Sequence, residues 1–187
     1  MYNYIQKIRL WLNYPRNNIH PSFKYGKGLI VDNYNVIEEN VVVGDSCFVG
    51  HHNVIRPYLV MGNRSQIRSF CFIAGNVKLG NDVIIWQYGN IGMGTIIEDR
   101  VFVGAKTIII NTRKISKWRD VDFVCEPVYV EYGARIASGC FICPKVRIGH
   151  NSMIQAGSLV TKSTEPCGIY RGRPAVKIGE VPQEERI

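Results

Sequence analysis

Histidine and cysteine are the side chains of this sequence with the readiest chemistry, and it holds four of the first and six of the second. His51 and His52 stand side by side in FVGHHNVIRP, at a point that reads as a tight corner. An imidazole that faces a groove there can take a proton near neutral pH, as a general base does; one that faces solvent has no such role. His20 and His150 are isolated. Cys47, Cys71 and Cys140 share one phase of a repeat, and Cys143 completes the stretch CFIC. A zinc tetrad needs a second such pair, and the sequence has none, so no metal is expected. The thiols are expected to be reduced, as in a cytoplasmic protein. GNIGMG, from Gly89, has the outline of a phosphate loop, but its glycines fall at repeat corners and no helix follows.

What positions these residues is a period of six. From Val31 to Ile109 every sixth residue is Val, Ile, Leu or Met, including Val43, Val49, Met61, Leu79 and Val103. The series resumes as Val130, Ile136, Ile142, Ile148, Ile154 and Val160. Such a period fits neither an amphipathic helix nor a plain alternating strand. It fits short strands joined by tight corners, three faces making a coil of about eighteen residues. Each aliphatic residue points inward and stacks on its counterparts about 4.8 Å away in the coils above and below. The position after it is commonly glycine (Gly44, Gly50, Gly62, Gly80, Gly92, Gly104), expected because a corner needs an unusual backbone conformation. Three residues further on, a smaller inward set follows: Cys47, Asn53, Ser65, Cys71, Val77, Val83, Thr95, Val101 and Thr107.

The expected fold is therefore all-β: a parallel β-helix of about six to seven coils over residues 25–164, with a lead-in at 1–24 and a short C-terminal tail at 165–187. The lead-in has Tyr4, Ile8, Trp11 and Leu12 at helical spacing, and packing on the end of the prism is expected. Its charges and the lack of a small-residue cleavage site argue against a signal peptide, and it is too short to span a membrane. The net charge of +8 is scattered, with no nucleic-acid-binding motif. Nucleic acid is thus not an expected partner, whereas small polyanions such as nucleotides are.

Between Ile109 and Val130 the repeat slips, and the inserted loop 112–127 is charged and carries Trp118. A long insertion in a regular solenoid is where binding residues collect. The flat faces of the prism offer little concave surface of their own.

Two segments, VIIWQYGNIGMGTIIEDRVFVGAKTIIINTRK from Val83 and GARIASGCFICPKVRIGHNSMIQAGSLVTKSTEPCGIYRGRPAVKIG from Gly133, carry a resemblance. They are similar to the hexapeptide-repeat acyltransferases, most of all to bacterial nucleotide-sugar N-acetyltransferases that act on 3-amino sugars for lipopolysaccharide and other surface polysaccharides. The resemblance covers about residues 30 to 180. It implies a left-handed coil and a homotrimer with grooves between subunits. It also implies a cytoplasmic enzyme that moves an acetyl group from acetyl-CoA to the amine of a nucleotide-linked amino sugar, with no metal and no membrane span.

Site residues follow from the same resemblance. Asn111, in Ile109-Ile110-Asn111-Thr112, matches an asparagine beside the thioester, whose amide would hold the acceptor amine or polarise the carbonyl. Thr112 replaces a residue that is usually acidic. Trp86-Gln87-Tyr88 falls where relatives carry Gln-Asn-Asn, which makes Gln87 a candidate catalytic amide and Trp86 and Tyr88, with His51 and Trp118, candidate substrate contacts. The tail implies a coenzyme A site: backbone around Ala156 and Gly157 along the pantetheine arm, and Lys162, Arg171, Arg173 and Lys177 at the phosphates. O-acetyltransferases of this fold carry a histidine just after the strand that ends at Asn111; here Arg113 and Lys114 stand there, which favours an amine acceptor. Two alternatives stay open: O-acetylation of a glycan with His51 or His52 as base, and a non-catalytic β-helix scaffold. A zinc enzyme of the γ-carbonic anhydrase kind would need three metal-facing histidines.

Overall fold

The computed structural model describes residues 10–113 and 124–187. Two-residue strands separated by tight turns run from Asn18–Ile19 to Leu159–Val160. Every third strand pairs in parallel, from Asn18–Ile19 with Val36–Ile37 to Phe141–Ile142 with Leu159–Val160. Among the described residues this builds three sheets of eight, seven and nine strands. Sheet 1 starts at Asn18–Ile19, sheet 2 at Lys24–Tyr25 and sheet 3 at Ile30–Val31. The chain visits them in that order, so it turns three edges per coil: a first between sheets 1 and 2, a second between 2 and 3, a third between 3 and 1. The architecture is a left-handed parallel β-helix of about eight turns.

The coil count exceeds the expected six to seven for two reasons. Ile19 and Tyr25 extend the period-six series toward the N-terminus, and Tyr25 is aromatic, so an aliphatic series stops short of it. At the other end Gly168–Gly172 pairs in parallel with Met153–Ile154 and antiparallel with Ala175–Glu180, which prolongs sheet 3 into the tail.

The inward column is as the period requires. Ile55, Ile67, Ile73, Ile85, Ile91 and Ile109 are fully buried, and so are their smaller companions Val77, Val83 and Asn53. Asn53 is tolerated there because every polar atom is used. Its Oδ1 accepts the Cys71 N–H (2.8 Å), and its Nδ2 donates to the Gly50 carbonyl (3.0 Å). The Asn53 N–H in turn donates to Asn35 Oδ1 at 2.8 Å, an asparagine ladder from coil to coil.

The repeat glycines have a different reason from the expected one. Gly44, Gly62 and Gly80 are absent from the left-handed positions, which belong to residues two places further on: Tyr34, Asn40, Ser46, His52 and their successors, with φ of 66°, 56°, 55° and 57°. The glycines are there for close approach. A Cβ on Gly62 would sit 2.6 Å from the carbonyl carbon and oxygen of Gly80, one coil below. The left-handed corners cost about 1–2 kcal/mol per non-glycine residue. Each is held by a bond to the preceding coil, as when His52 N donates to Asn33 O at 3.2 Å. The second edge adds side chains to this scheme: Asp45 N donates to Asn63 Oδ1 (2.8 Å) and Asn63 N to Asn81 Oδ1 (2.9 Å).

The loop leaves this register intact. Ile97 pairs with Val130 across it, just as Leu79 pairs with Ile97 before it. At the N-terminus residues 10–13 are helical, and Leu10 is the residue that enters the core. Trp11 and Leu12, expected to pack, are 62% and 65% exposed. Tyr4 and Ile8 lie outside the described residues.

Replacing Gly62 by Ala forces a methyl group onto the backbone of the next coil and is expected to cost about 3 kcal/mol. Gly179→Ala, where a Cβ meets nothing within 4 Å, is the control and is expected to leave stability unchanged. Urea unfolding of the two variants checks this.

Candidate functional site

The third edge collects most of the candidate residues. Its left-handed column runs Tyr34, His52, Phe70, Tyr88, Lys106, Gly139 and Gly157. Because these side chains leave the corner in the same direction once per coil, their rings stack. Tyr34–His52, His52–Phe70 and Phe70–Tyr88 have centroids 5.0, 5.0 and 5.2 Å apart and interplanar angles of 15°, 10° and 9°. His52 thus has both ring faces covered and only its edge exposed. His51 is engaged differently. Its Nδ1 accepts the Asn33 N–H (3.3 Å), and its Nε2 lies 3.3 Å from Asp32 Oδ2. Both ring nitrogens of His51 are thus in contact with residues of the preceding coil.

Trp86, Gln87 and Tyr88 occupy the next coil of the same edge. Trp86 packs against Phe102, with centroids 6.3 Å apart, and Tyr88 closes the ring stack. The Gln87 side chain has no hydrogen-bond partner among the described residues, and its carbonyl accepts the Lys106 N–H at 2.9 Å. Ala156 and Gly157 continue the edge toward the C-terminus, where Gly157 N donates to Ser138 O (3.0 Å). A Cβ at Gly157 would meet nothing within 4 Å, so this end of the edge is an open ledge.

Asn111 lies on the first edge, a full sheet width away. It follows the core strand Ile108–Ile109 and ties the two ends of the loop together. Its carbonyl accepts the Glu126 N–H (2.6 Å), and its Nδ2 faces Cys125 Sγ at 3.7 Å. Its Oδ1 has no partner among the described residues. Arg113 is committed to the loop base, with Nη2 donating to Pro144 O (2.9 Å) and Nε 3.5 Å from Glu126. Lys162 stands further along the same edge, exposed and without a polar partner among the described residues. Lys114 and Trp118 lie outside the described residues.

The tail hairpin carries the remaining basic candidates. Arg171 and Arg173 are exposed and free of ion pairs. Lys177 is not free: its Nζ lies 2.7 Å from Glu165 and 3.3 Å from Glu180. The hydrogen bond from Lys177 holds the Glu165 carboxyl below its usual range, and the two carboxylates raise Lys177 in return.

Three of the six thiols are buried, Cys125 is exposed, and Cys143 and Cys167 lie between. Cys47, Cys71 and Cys140 are buried and donate to the carbonyls of Gly62 (3.0 Å), Trp86 (3.2 Å) and Gln155 (3.2 Å). Burial pushes all three upward, Cys71 to about 11. Cys125 is exposed beside Asn111. Among the described residues no three His, Cys, Asp or Glu side chains come together as a metal site. Two shallow grooves of about 360 Å³ lie elsewhere, one on sheet 2 around Ile96, Glu98 and Tyr132, the other around Asn18, Pro21 and Glu38. Two features escape a period-six reading: the ring stack and Cys125. Writing the chain in rows of eighteen would have aligned the rings; nothing in the sequence marks Cys125.

No protein-family model matches the chain. It is 27% identical over 197 residues to the bifunctional protein GlmU of Thermotoga petrophila, a match that covers 87% of this chain and 42% of that protein. The chain therefore spans less than half the length of this curated relative. Among solved structures it resembles LpxA, a UDP-N-acetylglucosamine acyltransferase from Bacteroides fragilis, with TM-score 0.56 and 20% identity over 89% of this chain and 73% of that one. It also resembles a variant of AntD, an N-acyltransferase from Bacillus cereus in complex with dTDP and coenzyme A, with TM-score 0.58 and 18% identity over 96% and 90% of the two chains. These structural likenesses show the fold. No helix among the described residues is long and apolar enough to cross a membrane.

In the native protein a thiol reagent is expected to label Cys125 first, with Cys47, Cys71 and Cys140 reacting only on unfolding; Cys125→Ser should remove the fast phase. The folded value of Cys71 lies above the ordinary thiol value of 9.0, so the stabilisation linked to its neutral form is complete below about pH 9. It should fall away as pH rises toward 11, seen as a declining melting temperature over that range.

Proposed function

We propose, for a chain that belongs to the hexapeptide-repeat acyltransferase family, that it transfers an acetyl group from acetyl-CoA to the amine of a nucleotide-linked amino sugar. The observation that carries this reading is the place of Asn111. It closes a core strand at the base of the loop that interrupts the repeat, half-buried and with Oδ1 unbonded. A free amide oxygen there can accept an N–H of the acceptor amine and aim its lone pair at the thioester carbonyl. The C–N bond forms as the carbonyl opens to a tetrahedral intermediate, and the C–S bond then breaks. The departing thiolate takes up the proton that the amine releases, directly or through water. An amine acceptor needs no strong base, which suits an edge where Arg113 stands in an ion pair rather than a histidine free to take a proton.

Asn111 on the first edge and Gln87, Tyr88, Ala156 and Gly157 on the third are separated within one chain. They would share one groove if the first edge of one copy met the third edge of the next, as in a homotrimer. A structural neighbour supports the ligands: the AntD variant was crystallised with dTDP and coenzyme A. The free cations Lys162, Arg171 and Arg173 suit the phosphates of coenzyme A, whereas Lys177 would first have to leave Glu165 and Glu180. A cytoplasmic location fits this chemistry, since both ligands are made there. Glycan O-acetylation is the second reading. The edge of His52, with neither ring nitrogen bonded among the described residues, is the feature that favours it.

Purified protein, acetyl-CoA and a panel of dTDP-, UDP- and GDP-amino sugars should release free thiol with at least one acceptor; silence across the panel would refute the proposal. Asn111→Ala is expected to lower kcat/KM about 100-fold with little change in melting temperature. The double variant His51→Asn, His52→Asn should keep activity within about threefold; a loss of several hundredfold with a glycan acceptor would favour O-acetylation.

A further inference from the structure

Arg68 is the most unusual cation of the third edge. It follows the sheet 3 strand Gln66–Ile67, two residues before Phe70 in the ring stack. Its guanidinium lies between two aromatic rings, with Cζ 5.2 Å from the Phe48 centroid one coil above and 5.6 Å from that of Trp86 one coil below. Such contacts take up the two faces of a guanidinium and leave only its rim of N–H donors for other partners. Nothing among the described residues accepts from that rim. The Arg68 side chain has no hydrogen bond and no ion pair among the described residues, and its Nε is buried without a partner there. A desolvated, unpaired donor on a side chain fixed by its neighbours is an expensive arrangement for structure alone.

The surroundings suit an anion that carries an aromatic ring. The next coil presents Trp86 and Tyr88, 37% and 53% exposed. One coil beyond stands Lys106, exposed and also without a partner among the described residues. Two unpaired cations thus bracket one coil of exposed rings, two coil spacings or about 10 Å apart along the edge. No carboxylate among the described residues answers either of them. Tyr88 is the last ring of the stack, so the face it turns toward Lys106 carries no aromatic neighbour among the described residues.

We propose that this part of the third edge binds the diphosphate of a nucleotide, with Arg68 as the anchoring cation, Lys106 as the second, and the exposed rings of Trp86 and Tyr88 beside the base. The inference rests on the acyl-transfer reading for its two sources of nucleoside diphosphate, coenzyme A and the sugar nucleotide. A planar guanidinium presents paired N–H groups to phosphate oxygens, which a lysine cannot reproduce.

Calorimetry of the full chain with coenzyme A and, separately, with dTDP and UDP tests the proposal in Arg68→Gln and Arg68→Lys. Arg68→Gln is expected to weaken either coenzyme A or the pair dTDP and UDP at least about tenfold and to leave the other side unchanged, and Arg68→Lys to recover part of the loss. If coenzyme A is the one that weakens, the edge holds its nucleotide; if dTDP or UDP, it holds that of the acceptor. Unchanged affinity for both ligands in Arg68→Gln overturns the proposal while leaving acetyl transfer standing. A changed oligomeric mass in Arg68→Gln overturns it too, because Arg68 would then pair with a carboxylate of another copy. A wild-type chain that binds neither coenzyme A nor a nucleoside diphosphate would end both readings.

Discussion

Coil-to-coil register is the constraint on which everything else in this molecule depends. Each circuit lies on the previous one so that inward aliphatic residues stack, and corner N–H groups find carbonyls in the neighbouring coil, as Tyr34 N does at Arg16 O (2.8 Å). Once that register is set, any residue type repeated at the same place becomes a column. Glycine in such a column lets backbones approach, as at Gly62 over Gly80. Asparagine makes a ladder, inside at Asn35 and Asn53 and outside at Asn63 and Asn81. Aromatic residues make a stack, from Tyr34 to Tyr88.

The same constraint limits where chemistry can be. A prism with a filled core can offer only its edges and its outer faces, and a side chain on one edge cannot reach another. His52 and Asn111 are the clearest pair: each is a candidate for the reaction, yet a whole sheet separates them. The loop answers this limit at the first edge, where Asn111, Cys125, Arg113 and Glu126 bind its two ends to the coils. The third edge answers it with exposed rings and unpaired cations. On the proposed function, an acyl-transfer groove made from both edges, one from each of two copies, would bring the two halves to one place.

Much of the fold was legible because an inward column needs one kind of residue at one spacing. The column from Ile37 to Val160, its smaller companions and the loop after Ile109 were all readable from the order of residues. The role of the repeat glycines was not, since the sequence does not say whether a glycine serves φ or close approach; that depends on what lies one coil away. Tyr25 hid the start of the solenoid because an aromatic residue breaks an aliphatic series without breaking the coil. At the candidate site the neighbourhood of Asn111 could be found from the slip in the repeat. The pairing of His51 with Asp32, and of Lys177 with Glu165, could not, because those contacts join residues that only the register or the hairpin brings together. Arg68 was illegible for the same reason: its neighbours Phe48 and Trp86 lie in different coils.

The proposed function puts the reaction where the first edge of one copy meets the third edge of another, and mixed assemblies can reveal such a shared site. Asn111→Ala and Arg68→Gln, each damaged on a different edge, are unfolded together, refolded as a mixture and assayed for acetyl transfer. A site shared between copies should let the mixture recover roughly a quarter of wild-type activity, because random assembly joins an intact first edge to an intact third edge in that share of junctions. Activity no greater than the mean of the two parents would contradict it.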